Sequence, residues 1–154
     1  MTIESKKTLI NASAEKIYAF VSDFNNFSSM MPPQVEGWQT DGNTCSFKVS
    51  GFMQITLEMV ERTPFSKVVV APAAGSSSPM PFKMVIEMKE KDAATDTRIA
   101  FDIDANPMMV MMIKGKAKDA LDMMADRLKY YIENQYHHES PRQELQALHV
   151  AKRD

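Results

Sequence analysis

The sequence predicts an α+β domain, a curved antiparallel sheet of about six to seven strands gripping one long C-terminal helix, with two short helices after the first strand. Three observations predict it. Between residues 34 and 105 apolar and polar residues alternate with period two, as in strands with one dry and one wet face. From 107 to 135 the period changes to three or four and stays there, the mark of an uninterrupted helix. Two short amphipathic stretches lie between the first strand and the alternating region.

The elements follow in order. Residues 3–11, IESKKTLIN, form a weakly patterned strand at or near a sheet edge. Ser13 is placed to cap a helix, and Glu15 lies near the positive end of its dipole. Ile17, Phe20, Val21 and Phe24 then share one face. A second helical piece covers 25–31, and Pro32-Pro33 end it. Asp41-Gly42-Asn43 reads as a tight hairpin turn. Thr63-Pro64-Phe65-Ser66 and DAATD make two further turns. Asn106-Pro107 opens the last helix, with Asn as N-cap and Pro at the first helical position. Val110, Ile113, Ala117, Leu121, Met124 and Leu128 line one of its faces, while Lys114, Lys118, Asp122, Asp126 and Lys129 lie largely elsewhere. At about 1.5 Å per residue such a helix runs roughly 40 Å and needs a large concave partner. Residues 1–136 read as one domain. Residues 137–154 read as a polar extension with a short helix over 141–151, capped by Ser140.

Composition excludes several functions. With 44% hydrophobic and 25% charged residues the chain is globular, not disordered. A net charge of −2 leaves no basic footprint for nucleic acid. No apolar run approaches the ~18 residues of a membrane span, and the N-terminus lacks a secretory core. The one cysteine, Cys45, has no internal partner, so a reduced, cytoplasmic setting is expected. Fourteen methionines are the outlier, four of them at 108, 109, 111 and 112. Met either fills a core in place of Leu or provides a surface that adapts to irregular shapes.

Two segments carry a family resemblance: INASAEKIYAFVSDFNNFSSMMP (10–32) and TRIAFDIDANPMMVMMIKGKAKDALDMMADRLKYY (97–131). The first is similar to the opening of the START, polyketide cyclase and birch-pollen-allergen (SRPBCC) superfamily, with Ile17, Tyr18, Val21, Asp23 and Pro32 in the matching places and Ala14 where Pro is commoner. The second resembles that superfamily's last strand running into its helix. The resemblance implies a helix-grip fold over about residues 3–135, with a cavity between sheet and helix that in relatives holds lipids, polyketides, quinones or steroids.

The expected cavity lining is Phe47, Met53, Ile55, Leu57, Met59, Met80, Phe82, Met84, Ile86, Met88, Phe101 and Ile103 from the sheet and its loops. Met108, Met109, Met112 and Ile113 are added from the helix. Val49, Ile99, Val110, Leu121 and Met124 are also assigned inward. None of these can titrate or attack, so no catalytic residue, metal ligand or cofactor is assigned, and binding is favoured over turnover. Cys45 reads as a buried thiol, and His137, His138 and His149 as tail residues rather than metal ligands. Trp38 reads as packing, and the loop over 72–81 as either a gate or a plain hairpin loop.

Three functions stay open. The first is binding or transport of a hydrophobic small molecule. The second is a cyclase-like enzyme, which would need Tyr18, Asp23, Arg98 or Tyr130 to reach the interior. The third is a protein-interaction module or homodimer that uses the methionines at the helix start.

Overall fold

Strands make up much of the chain, and most of those between residues 34 and 105 follow from the alternation described above. The structure, a computed structural model, describes residues 1–49, 53–73 and 81–136, with Met53 described through its backbone alone. In chain order the elements are β1 (Thr2–Glu4), β2 (Thr8–Ile10), α1 (Ala14–Val21), α2 (Phe24–Phe27), β3 (Val35–Thr40), β4 (Thr44–Val49), β5 (Met53–Thr63), β6 (Lys67–Pro72), β7 (Phe82–Lys91), β8 (Ala94–Ile103) and α3 (Pro107–Asn134). Among the described residues the strands form one antiparallel sheet in the order β1-β8-β7-β6-β5-β4-β3, with β2 also paired to β8.

One expected strand, 3–11, is two. Ser5 interrupts it: its amide donates to the Ile99 carbonyl at 2.7 Å, and its hydroxyl accepts from the Ile99 amide at 2.9 Å. The side chain thus takes over a ladder position that backbone would otherwise fill, and the sheet has eight strands rather than six or seven. Register shifts between Met59 and Glu61 in β5, and between Glu36 and Gln39 in β3, bend those strands. Gly37 sits in the second shift with φ of 65°, a left-handed conformation in which glycine costs little.

The first and last helices start as the sequence predicts, whereas the second is one turn, Phe24–Phe27, rather than 25–31. Ser13 accepts from the Lys16 amide at 3.2 Å, and Asn106 from the Met109 amide at 2.9 Å with Pro107 beside it. Asp23 caps the second helix by accepting from the Asn25 amide at 2.9 Å. At the 41–43 turn, Asp41 Oδ1 accepts from the amides of Asn43 and Thr44, at 3.0 and 2.8 Å. Gly42 takes φ of 100°.

The core lies on the concave side of the sheet, under α1, α2 and α3. Phe24, Phe27, Ile17, Ile86, Ile99, Leu128 and Ile132 are fully buried there. Trp38 packs among Phe24, Phe27 and Phe47, stacked on Phe47 at 5.2 Å, and its indole N–H donates to the Phe24 carbonyl at 3.1 Å. This aromatic group fastens α2 to β3 and β4. Tyr136 meets Phe20 edge-on at 5.1 Å, which pins the end of α3 to α1.

The charged flank of α3 is less free than its sequence implies. Asp122 accepts from the Lys6 amide at 2.7 Å, Lys129 donates to the Leu9 carbonyl at 2.6 Å, and Glu133 accepts from the Asn11 amide at 2.9 Å. Short, broken edge strands leave backbone groups without ladder partners, and the helix supplies those partners. These ties reach from Lys118, which donates to the Glu4 carbonyl at 3.4 Å, to Glu133. The most intimate packing of α3 is likewise against β1, β2, β8 and α1.

Candidate functional site

The candidate site is the part of the concave face under the first half of α3. Register places Phe82 beside Ile103, Met84 beside Phe101 and Val70, and Phe47 beside Ile55. Ile86 and Ile99 pair on the same face. The alternation therefore points as the sequence predicts. Phe47, Leu57, Met84, Ile86, Met88 and Ile103 are buried.

A different group stays half-buried: Val49, Ile55, Met59, Phe82, Phe101 and, from the helix, Ile113. They belong to the inward face yet keep solvent access. Phe82 and Phe101 lie against each other with ring centroids 4.8 Å apart. All are apolar, and the hydroxyls of the same face sit further along β8: Thr95 donates to the Ala12 carbonyl at 2.7 Å, whereas the buried Thr97 hydroxyl has no hydrogen-bond partner among the described residues. The sequence reading passed over both threonines, although the same alternation that selects Ile99 and Phe101 selects positions 95 and 97.

The helix methionines depart from expectation. Met108 and Met112 are 74% and 76% exposed and Met109 is 38% exposed, so they are not enclosed with the sheet residues. The reason is geometric. At 3.6 residues per turn only Val110, Ile113 and Ala117 can face the sheet from this stretch, and their neighbours on both sides turn away. Met80, the side chain of Met53, most of the 72–81 loop, and the 137–154 extension with its histidines and the helix expected over 141–151 lie outside the described residues.

The polar candidates do not converge. Arg98 pairs with Glu4 at 3.2 Å on the outer face of the sheet. Asp102, on that same face, lies 3.8 Å from the N-terminal amine. Tyr18 packs edge-on against Phe65, and Tyr130 is exposed and stands edge-on to Tyr131. Burial pushes the Cys45 thiol up to about 12, which keeps it protonated and a poor nucleophile. Among the described residues no cluster of three His, Cys, Asp or Glu is arranged to hold a metal ion. A cleft of about 560 Å³ does exist, but on the outer face, among Lys67, Glu87, Lys89, Lys91, Asp96 and Arg98. Lys67, Lys91 and Arg98 are already paired there with Glu61, Asp96 and Glu4, so that cleft is a solvated charge ladder across strands.

A curved antiparallel sheet closed by a long C-terminal helix, with two short helices after the first strands, defines the helix-grip fold. The chain belongs to the family described as polyketide cyclase / dehydrase and lipid transport, whose model matches residues 2–133. Solved structures agree on the fold. A START superfamily protein from Mycobacterium smegmatis is 17% identical with a TM-score of 0.67, the match covering 88% of this chain and 99% of that one. XoxI from Bacillus cereus is 12% identical with a TM-score of 0.66, covering 90% and 98%. The Aha1 dimer from Colwellia psychrerythraea is 18% identical with a TM-score of 0.60, covering 89% and 99%. Among curated proteins none matches the chain.

Proposed function

We propose that the protein binds a hydrophobic small molecule, of lipid, quinone or polyketide character, between the concave face of the sheet and the first half of α3. One observation carries this reading. Val49, Ile55, Met59, Phe82, Phe101 and Ile113 point inward but are only half-buried. Apolar side chains of a finished core are dry, whereas a face that keeps partial solvent access gains by covering it, at roughly 25 cal/mol per Å². The site offers shape and greasy contact without a charged anchor, which suits a carrier that must take up and release its cargo. Phe82, Met84 and Phe101 would grip a flat or extended apolar body, and Met59 would adapt to its outline.

The test is direct. Organic extracts of the purified protein are examined by mass spectrometry, and the emptied protein is titrated with a fluorescent fatty acid, a quinone and an aromatic polyketide. A stoichiometric apolar compound or saturable binding is expected. Ile113→Trp, a larger side chain on the sheet-facing side of α3, should weaken binding by tenfold or more while the fold is retained. Absence of extractable and titratable ligand, or unchanged affinity in a folded Ile113→Trp, ends the proposal.

A further inference from the structure

Met108, Met111 and Met112 are 74%, 80% and 76% exposed on the first turns of α3, and they form one apolar patch on its outer side. Isolated exposed apolar residues are ordinary, but three large ones on adjacent turns mark a contact surface. We infer that this patch, together with Lys114 and Lys116, docks the protein on an anionic lipid bilayer.

Charge selects this occupant. Between residues 105 and 117 the chain carries two lysines and no acidic residue, bounded by the exposed Asp104 before and by Asp119, Asp122 and Asp126 after, with Lys118 already paired to Asp122 at 3.4 Å. Positive charge is therefore concentrated beside the methionines in a chain whose net charge is −2. Of the acidic residues just before the helix, Asp102 already lies near the N-terminal amine, at 3.8 Å. A second copy meeting this face through the same patch would oppose lysine to lysine, whereas phospholipid headgroups complement it. Flexible thioethers suit a fluid acyl boundary, and each lysine near such a surface is worth about 1 kcal/mol, a factor of roughly five in partitioning.

Position adds to the argument. α3 starts four residues after β8 ends, at the same end of the sheet where β4 ends at Val49 and β7 starts at Phe82. The patch therefore borders the half-buried apolar face. Docking stands on the exposed helix surface and does not require an interior ligand; with one, it names the membrane as the ligand's source.

Co-sedimentation with vesicles of phosphatidylcholine, with and without about one third phosphatidylglycerol, tests docking without any ligand readout. The full chain should bind the anionic vesicles, and less so as salt rises. The triple change Met108→Ser, Met111→Ser, Met112→Ser should weaken partitioning at least tenfold, as should Lys114→Glu with Lys116→Glu. Both variants alter exposed positions, and circular dichroism verifies their folding. Absence of vesicle binding, or equal binding by folded variants, overturns the inference. So does a dimer in chromatography that the methionine variant dissolves without any vesicle binding, since the patch would then belong to a second copy. Ligand titration can succeed or fail independently of every one of these outcomes.

Discussion

Asp41 shows how much a single side chain settles locally. Its carboxylate accepts from two amides and a hydroxyl around a hairpin turn, and those hydrogen bonds hold it below the usual carboxylate range. Glu133 is held down in the same direction, first by the Asn11 amide and then by Lys129. A carboxylate whose pKa is depressed on folding adds stability that is full above its unfolded value and is lost as pH falls through its folded value. The protein should therefore lose stability on acidification below the ordinary carboxylate range, and Asp41→Asn should flatten that acid limb in chemical denaturation followed from pH 7 to 3. Thr97 is the opposite case, a buried hydroxyl without a partner among the described residues. Thr97→Val keeps the shape and removes the desolvated group, so it should raise unfolding free energy by about 1 kcal/mol in urea titrations. The turn at 41–43 and the caps at Ser13 and Asn106 were legible because each rests on contacts within a few residues. The unpaired state of Thr97 was not, because it depends on what the rest of the fold fails to bring near.

Among the elements, α3 has two unlike halves. From Lys118 to Glu133 its side chains bind the backbone of residues 4–11, and Leu121, Met124, Leu128 and Ile132 are buried. From Pro107 to Ala117 only Val110 is buried, and Ile113 and Ala117 are half-buried. Local stability follows buried contacts and protected hydrogen bonds, so amide exchange should be faster across 107–117 than across 121–132 by an order of magnitude or more. Gly115 lies in the loose half, and a methyl group there would meet nothing within 4 Å. Gly115→Ala should stabilise the helix by roughly 0.5–1 kcal/mol, seen as a higher thermal midpoint. The length and start of α3 were readable from period and capping. Its lacing to β1 and β2 was not, since it follows from Ser5 breaking the edge strand, a tertiary event with no periodic signature.

At the scale of the molecule, a sheet bent by two register shifts meets a long helix whose hydrogen-bonded ties to the first strands lie along its second half. The apolar face below its first half is covered incompletely. Occupancy should therefore stabilise the whole protein by mass action, and stripping bound lipid with organic solvent or detergent exchange should lower the thermal midpoint, with recovery on adding ligand back.

Inward and outward faces, the limits of α3 and the apolar character of the interior were determined by the sequence alone, because period and capping are local and repeat along the chain. Whether an inward residue ends dry or half-wet, and whether Met108 and Met112 meet the sheet or the solvent, was decided only in three dimensions. Both outcomes depend on the distance and rotation between helix and sheet, which distant contacts fix and neighbouring residues do not encode.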